Sequence, residues 1–204
     1  MTQFLVLTKT PVPGRVKTRL CPPWTHEQAA EVAAAALADT IDTVSATPAV
    51  VRTLVVDGDY PGPSGWRRVP QRGSSLQARL GNAFIDTAGP PTVLIGMDTP
   101  QLTTDLLTRA ADLADADATL GLAEDGGWWA LGLRDASNAM VLRSIATSTH
   151  QTGHRTLAAL RGRGLRVALL PVLRDVDTSV DARAVARLCS VGGRFKSVVE
   201  GIAP

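Results

Sequence analysis

Short apolar runs alternate along this chain with stretches of helical periodicity. Phe4-Leu5-Val6-Leu7, within the strand-like stretch from Gln3 to Thr8, reads as a buried strand. Thr25 with Gln28 three residues on forms a capping-box signature. Behind it Ala29, Val32, Ala33, Ala36, Leu37, Ile41 and Val44 recur at helical spacing, with Pro48 as the stop. Val50-Val51 and Leu54 to Val56 predict a second strand, and Trp66 to Pro70 an extended piece after a Gly/Pro loop. Leu76, Leu80, Ala83 and Phe84 mark a helix. Thr92 to Gly96 is another buried strand, and Leu102 to Leu113 a further helix. Ala118 to Ala123 and Trp128 to Leu133 predict two strands around Glu124-Asp125-Gly126-Gly127. A helical region follows from about Ser137 to Gly162, broken near Gly153. Val167 to Leu170 gives the last strand, and Val180 to Leu188 the last helix. Strands alternating with helices imply an α/β fold, a three-layer sandwich on a mostly parallel mixed sheet. No repeat or linker divides the 204 residues, so one domain spanning 1–204 is expected.

Composition narrows the function. Lys+Arg 21 against Asp+Glu 19 leaves a net charge of +2, without the strongly basic face of a nucleic-acid binder. No apolar run is long enough to span a membrane, and the N-terminus lacks the pattern of a signal peptide. Cys21 and Cys189 are too few for a disulfide framework, so reduced thiols and a cytoplasmic location are expected.

Ligands of open α/β sheets sit at the carboxyl ends of the strands. Three groups of charged residues fall there. Lys9 to Arg19 follows the first strand and holds Lys9, Arg15, Lys17 and Arg19 in a loop stiffened by Pro11 and Pro13. It lacks the glycines of a Walker A loop, yet its cations suit phosphate oxygens. Asp98 follows the strand Thr92 to Gly96. Pro100 and Gln101 separate it from the expected helix caps, Thr103 or Thr104, so a hard cation explains it better than capping. Glu124-Asp125 and Asp175/Asp177 are separately explained as a turn and an N-cap; together with Asp98 they resemble carboxylates converging on a metal-diphosphate site. His150 and His154 do not fit a zinc motif, because no Glu follows the first His. Trp128 and Trp129 point to opposite faces, one toward the core and the other toward a pocket.

The segment Lys9 to Leu20 resembles the opening of a bacterial GT-A-like group, known as arsenosugar-biosynthesis glycosyltransferases and long classed as a domain of unknown function. Gln71-Arg72-Gly73 with Leu76 and Arg79-Leu80, Gly96 to Pro100, Glu124 to Leu133 and Asp175 to Thr178 resemble four further segments of the group, in the same order. The plan is also similar to nucleotidyltransferases such as 2-phospho-lactate guanylyltransferase. The chain departs from the pattern at Thr8, Trp129, Ser179 and Ala146 to Thr149.

The resemblance implies a nucleotide-diphospho-sugar-transferase (GT-A) fold and a metal-dependent transferase with Mg²⁺ or Mn²⁺. It assigns nucleotide binding to Lys9, Pro11, Gly14, Arg15, Lys17, Arg19, Gln71, Gly73 and Arg79. Lys17, Asp98 and Asp125 are expected to carry the reaction, and Asp98, Glu124 and Asp177 to hold the metal. One reading moves a sugar from a nucleotide-sugar donor to a small-molecule acceptor. A second joins an NTP to a phosphorylated small molecule. A third, a nucleotide-binding module without catalysis, leaves the acidic groups unexplained.

Overall fold

The computed structural model describes residues 1–202. Seven strands form one sheet: β1 (Gln3–Lys9), β2 (Arg52–Asp57), β3 (Arg67–Pro70), β4 (Thr92–Gly96), β5 (Ala118–Ala123), β6 (Trp128–Leu133) and β7 (Val167–Leu173). Their order is β3-β2-β1-β4-β6-β5-β7. β1 pairs in parallel with β2 and β4, β2 with β3, and β5 with β7; β6 alone runs antiparallel, between β4 and β5. The sheet is therefore mixed and mostly parallel, as the alternation of elements predicts.

Side-chain alternation buries both faces of the central strands. Phe4 and Val6 of β1 pack on one face with Leu54 and Val56 of β2. Leu37, Ile41 and Val44 of α1 (His26–Ala46) and Leu107 of α3 (Thr104–Ala111) cover them. Leu5, Val55 and Leu94 point the other way. They meet Leu80 and Phe84 of α2 (Leu76–Asp86), Leu142 of a 3₁₀ segment (Ala136–Ser144) and Leu160 of α4 (Thr152–Gly162). The outer side of α1 is lined by small residues, Ala29, Val32, Ala35 and Ala36. It carries a third cluster with α5 (Ser179–Ala186) and α6 (Arg194–Gly201). The free thiols Cys21 and Cys189 both belong to this cluster.

Caps form where the local chemistry places them. Thr25 and Gln28 make the reciprocal capping box of α1, and Thr103 caps α3. Thr178 and Asp181 make a second box on α5. The predicted break near Gly153 lies instead at residues 145–151, and Gly153 sits in the first turn of α4. Its glycine has a packing cause: a Cβ there would lie 2.3 Å from the Gly127 carbonyl oxygen. β7 continues past Leu170 through Pro171, which is tolerated because β7 is an edge strand. Among the described residues no helix is long and apolar enough to cross a membrane.

Candidate functional site

The carboxyl ends of β1, β2 and β4 open onto a cavity of about 390 Å³, with the loop after β1 as one wall. Lys9, Arg15, Lys17, Arg19 and Arg79 line it against Asp57, Asp98 and Asp177. Five cations against three carboxylates leave it positive. Pro11, Gly14 and Gly73 are not among its lining residues; they shape the turns that carry the lining side chains. Gly73, at φ +129, packs so closely that a Cβ would lie 2.8 Å from Ala78 Cβ.

Lys17 is the centre of this wall. It opens a short 3₁₀ turn at Thr18–Leu20 in the left-handed conformation, φ 47. Its side chain, only 12% exposed, donates to Asp98 Oδ1 at 2.6 Å and to the Val176 carbonyl, and lies 3.6 Å from Asp177 Oδ1. Burial pulls the ammonium pKa down, but Asp98, by charge and hydrogen bond, and then Asp177 and Asp175 outweigh it, and the net shift is upward. Arg19 Nη1 reaches Asp177 Oδ2 at 2.9 Å. The loop after β1 is thereby tied to the ends of both β4 and β7.

Gln71 follows β3 and lines the same cavity. Its Nε2 donates to the main-chain carbonyls of Thr8 and Val55 at 2.8 and 3.2 Å. Arg79 donates from Nη1 to Asp57 Oδ2 at 2.8 Å and from Nε to the Gly73 carbonyl at 3.2 Å. The turn at residues 71–73 therefore lies beside β1 and its loop. Arg72 points away, paired with Asp86.

A second cavity, about 460 Å³, adjoins the first and shares Leu7, Arg19, Leu76, Asp98 and Asp177 with it. Asp125, Asp175, Trp128, His150 and the hydroxyl residues Thr147, Ser148 and Thr149 complete its walls. The β5–β6 turn lies at this edge of the sheet because β6 runs back against β4. It packs on the segment before α4 without side chains between: Gly126, at φ +90, would place a Cβ 2.1 Å from the His150 carbonyl oxygen. Trp129 is core, with its indole N–H on the Pro171 carbonyl at 3.0 Å, while Trp128 stands half-buried in the cavity wall.

Asp98, Asp125, Asp175 and Asp177 thus meet in one cavity. Glu124 faces a smaller adjoining cavity, which it shares with Asp125, Asp175, Asp177 and Asp181, and its carboxylate takes the Arg174 guanidinium at 2.6 Å. Asp175, which the sequence places in the acidic group but not among the three expected metal ligands, is the most perturbed of the four. Burial, and then the charges of Asp125 and Asp98, push its carboxyl up to about 8 despite Lys17. Its Oδ1 is buried without a hydrogen-bond partner. A buried carboxylate oxygen lacking a partner, among other carboxylates, has the chemistry of a hard-cation ligand. Among the described residues no three such groups are already gathered round one point.

Residues 29–149 match the model of a bacterial family described as "Uncharacterized protein conserved in bacteria (DUF2064)". No curated protein matches the chain in sequence. A candidate nucleotide-diphospho-sugar transferase from Desulfovibrio desulfuricans has the same fold, with a TM-score of 0.88 and 26% identity over 98% of this chain and 94% of that one. Rv0371C from Mycobacterium tuberculosis, in complex with manganese, superposes with a TM-score of 0.52 at 16% identity, covering 98% and 99% of the two chains. The 2-C-methyl-D-erythritol 4-phosphate cytidylyltransferase of Thermus thermophilus gives 0.54 at 13%, covering 97% of both.

Proposed function

From the premise that this chain belongs to the DUF2064 family, we propose that it is a nucleotide-dependent transferase that takes its donor in the cation-lined cavity and moves a sugar from a nucleotide diphosphate to a small-molecule acceptor. The observation that carries this reading is Lys17, a buried ammonium set between Asp98 and Asp177 at the mouth of a positive cavity. A donor diphosphate is an oxyanion that needs cations beside it and, as it leaves, charge neutralisation. Arg15, Arg19 and Lys9 supply the first, Arg as a fork and Lys as a point charge. Gln71 and Arg79 bound the part of the cavity that takes the base and ribose.

Asp98, Asp175 and Asp177 are the residues that would hold Mg²⁺ or Mn²⁺. The buried, unpartnered Oδ1 of Asp175 supports this, and Asp125 completes the acidic wall. A divalent cation bound there supplies Lewis-acid stabilisation of the leaving diphosphate. Lys17 keeps its proton throughout, since its pKa is raised, and it holds Asp98 and Asp177 in place.

Nucleotidyl transfer is the second reading. Five cations suit a triphosphate, and a cytidylyltransferase shares the fold. Product analysis separates the two. Incubation with nucleotide sugars and NTPs, each with Mn²⁺ or Mg²⁺, should release nucleoside diphosphate in sugar transfer and pyrophosphate in nucleotidyl transfer. No calorimetric binding of any nucleoside di- or triphosphate would overturn both.

A further inference from the structure

The two adjoining cavities differ in charge and in surface chemistry. The first presents five cations to three carboxylates. The second presents four carboxylates, Asp98, Asp125, Asp175 and Asp177, to one guanidinium, Arg19, together with His150. That guanidinium is already spent on Asp177, at 2.9 Å. Asp98 is likewise paired, with Lys17 at 2.6 Å, so the two cations at this wall are both engaged and Asp125 and Asp175 add acidic groups beyond them. On the transferase reading, a divalent cation held by these acids would serve the donor's diphosphate. The rest of the lining is apolar and hydroxylic: Leu76, Leu80 and the half-buried Trp128, with Thr147, Ser148 and Thr149.

Resting on the transferase reading above, we infer that the second cavity is the acceptor site, and that it takes a neutral, hydroxyl-bearing molecule with an apolar or aromatic body and excludes a phosphorylated one. A phosphate placed there would meet carboxylates with no free cation, and like charges at close range are strongly unfavourable. Hydroxyls of the acceptor find Thr147, Ser148 and Asp125, while the flat face of its body finds Trp128. The shared wall, Leu7, Leu76 and Asp98, puts the acceptor hydroxyl next to the donor. The backbone is built for the purpose: Ser148 is held at φ 58, a conformation that costs energy for a non-glycine residue and is characteristic of ligand sites. Among the described residues only Lys17 shares that feature, and it lines the other cavity.

The test is calorimetric titration of the full chain with phenyl β-D-glucopyranoside and with its 6-phosphate, beside UDP, GDP and CTP with Mn²⁺ in parallel. The glucoside is expected to bind, and the 6-phosphate to bind about tenfold more weakly or not at all. Trp128→Ala should weaken the glucoside about tenfold and leave nucleotide affinity unchanged; Trp128→Phe, which keeps an aromatic wall and the fold, should retain it. The inference is overturned if the 6-phosphate binds as tightly as the glucoside, if the glucoside fails to bind while a nucleotide does, or if Trp128→Ala changes nothing. Loss of nucleotide binding in the unaltered protein would instead sink the underlying transferase reading.

Discussion

Lys17 Nζ lies 2.6 Å from Asp98 Oδ1, so the ammonium of the first loop and the carboxylate at the end of β4 form one unit. As a metal ligand beside other carboxylates, the role the sequence suggests, Asp98 should lose little stability or gain some on neutralisation. With Lys17 in contact the sign reverses. Asp98→Asn should lower stability by about 1 kcal/mol, a value kept small because the carboxylate is 43% exposed. Lys17→Met leaves Asp98 without its cation, while Asp177 keeps Arg19, and should cost about 1–3 kcal/mol. Urea denaturation at pH 7 measures both. Lys17→Met should also weaken nucleoside diphosphate binding in the absence of metal.

Asp175 gives a pH signature. Its carboxyl titrates near 3.8 when exposed and is pushed up to about 8 in the fold. Between those values the unfolded chain ionises and the folded one does not. Stability tied to this group is therefore intact below about pH 4 and lost as pH rises through about 8. Asp175→Asn should raise stability at pH 8 by on the order of 1–3 kcal/mol and leave it unchanged near pH 4. Equal effects at both pH values would refute the assignment.

Mn²⁺ or Mg²⁺ should act in the same place and in the same direction. A cation at about 100 times its Kd stabilises by about 2.7 kcal/mol, and Asp98→Asn and Asp175→Asn should abolish that gain. Glu124→Gln should retain it, because Glu124 is engaged with Arg174. Melting curves with and without metal read all four proteins.

Gly126→Ala should be among the costlier single-methyl changes in the molecule. It combines φ +90 with a Cβ 2.1 Å from the His150 carbonyl oxygen, and should lose at least ~2 kcal/mol. Gly14→Ala also has a positive φ, +73, but open space around it, and should lose about 1 kcal/mol. Urea denaturation of the two variants beside the unaltered chain checks the ranking.

Local signals read well in this chain. The Thr25 to Gln28 box, the strand from Thr92 to Gly96 and the burial of Trp129 all rest on residues adjacent in sequence or on side-chain alternation. Long-range pairings did not read. Nothing near Glu124 announces Arg174, fifty residues away, and nothing near Lys17 announces the Val176 carbonyl. The burial of Asp175 depends on β7 docking beside β5, a pairing of distant segments. α6 escaped because Arg194 to Gly201 has few apolar residues, and its docking on α1 depends on Asp39, whose carboxylate accepts the N–H groups of Arg194 and Phe195 at 3.1 and 2.9 Å. The segment after the 3₁₀ stretch, residues 145–151, reads as helix from composition, but Ser148 turns left-handed there to meet the β5–β6 turn.

The wall common to both cavities, with Asp98 and Asp177 exposed on either side of it, has a thermodynamic corollary. A ligand that displaces Lys17 or Arg19 from these carboxylates on one side changes the field on the other. Such coupling is reciprocal: whatever factor an occupant of one chamber applies to affinity in the next is returned unchanged. A ternary complex built across this partition therefore has its cooperativity, in either order of assembly, set through two shared aspartates.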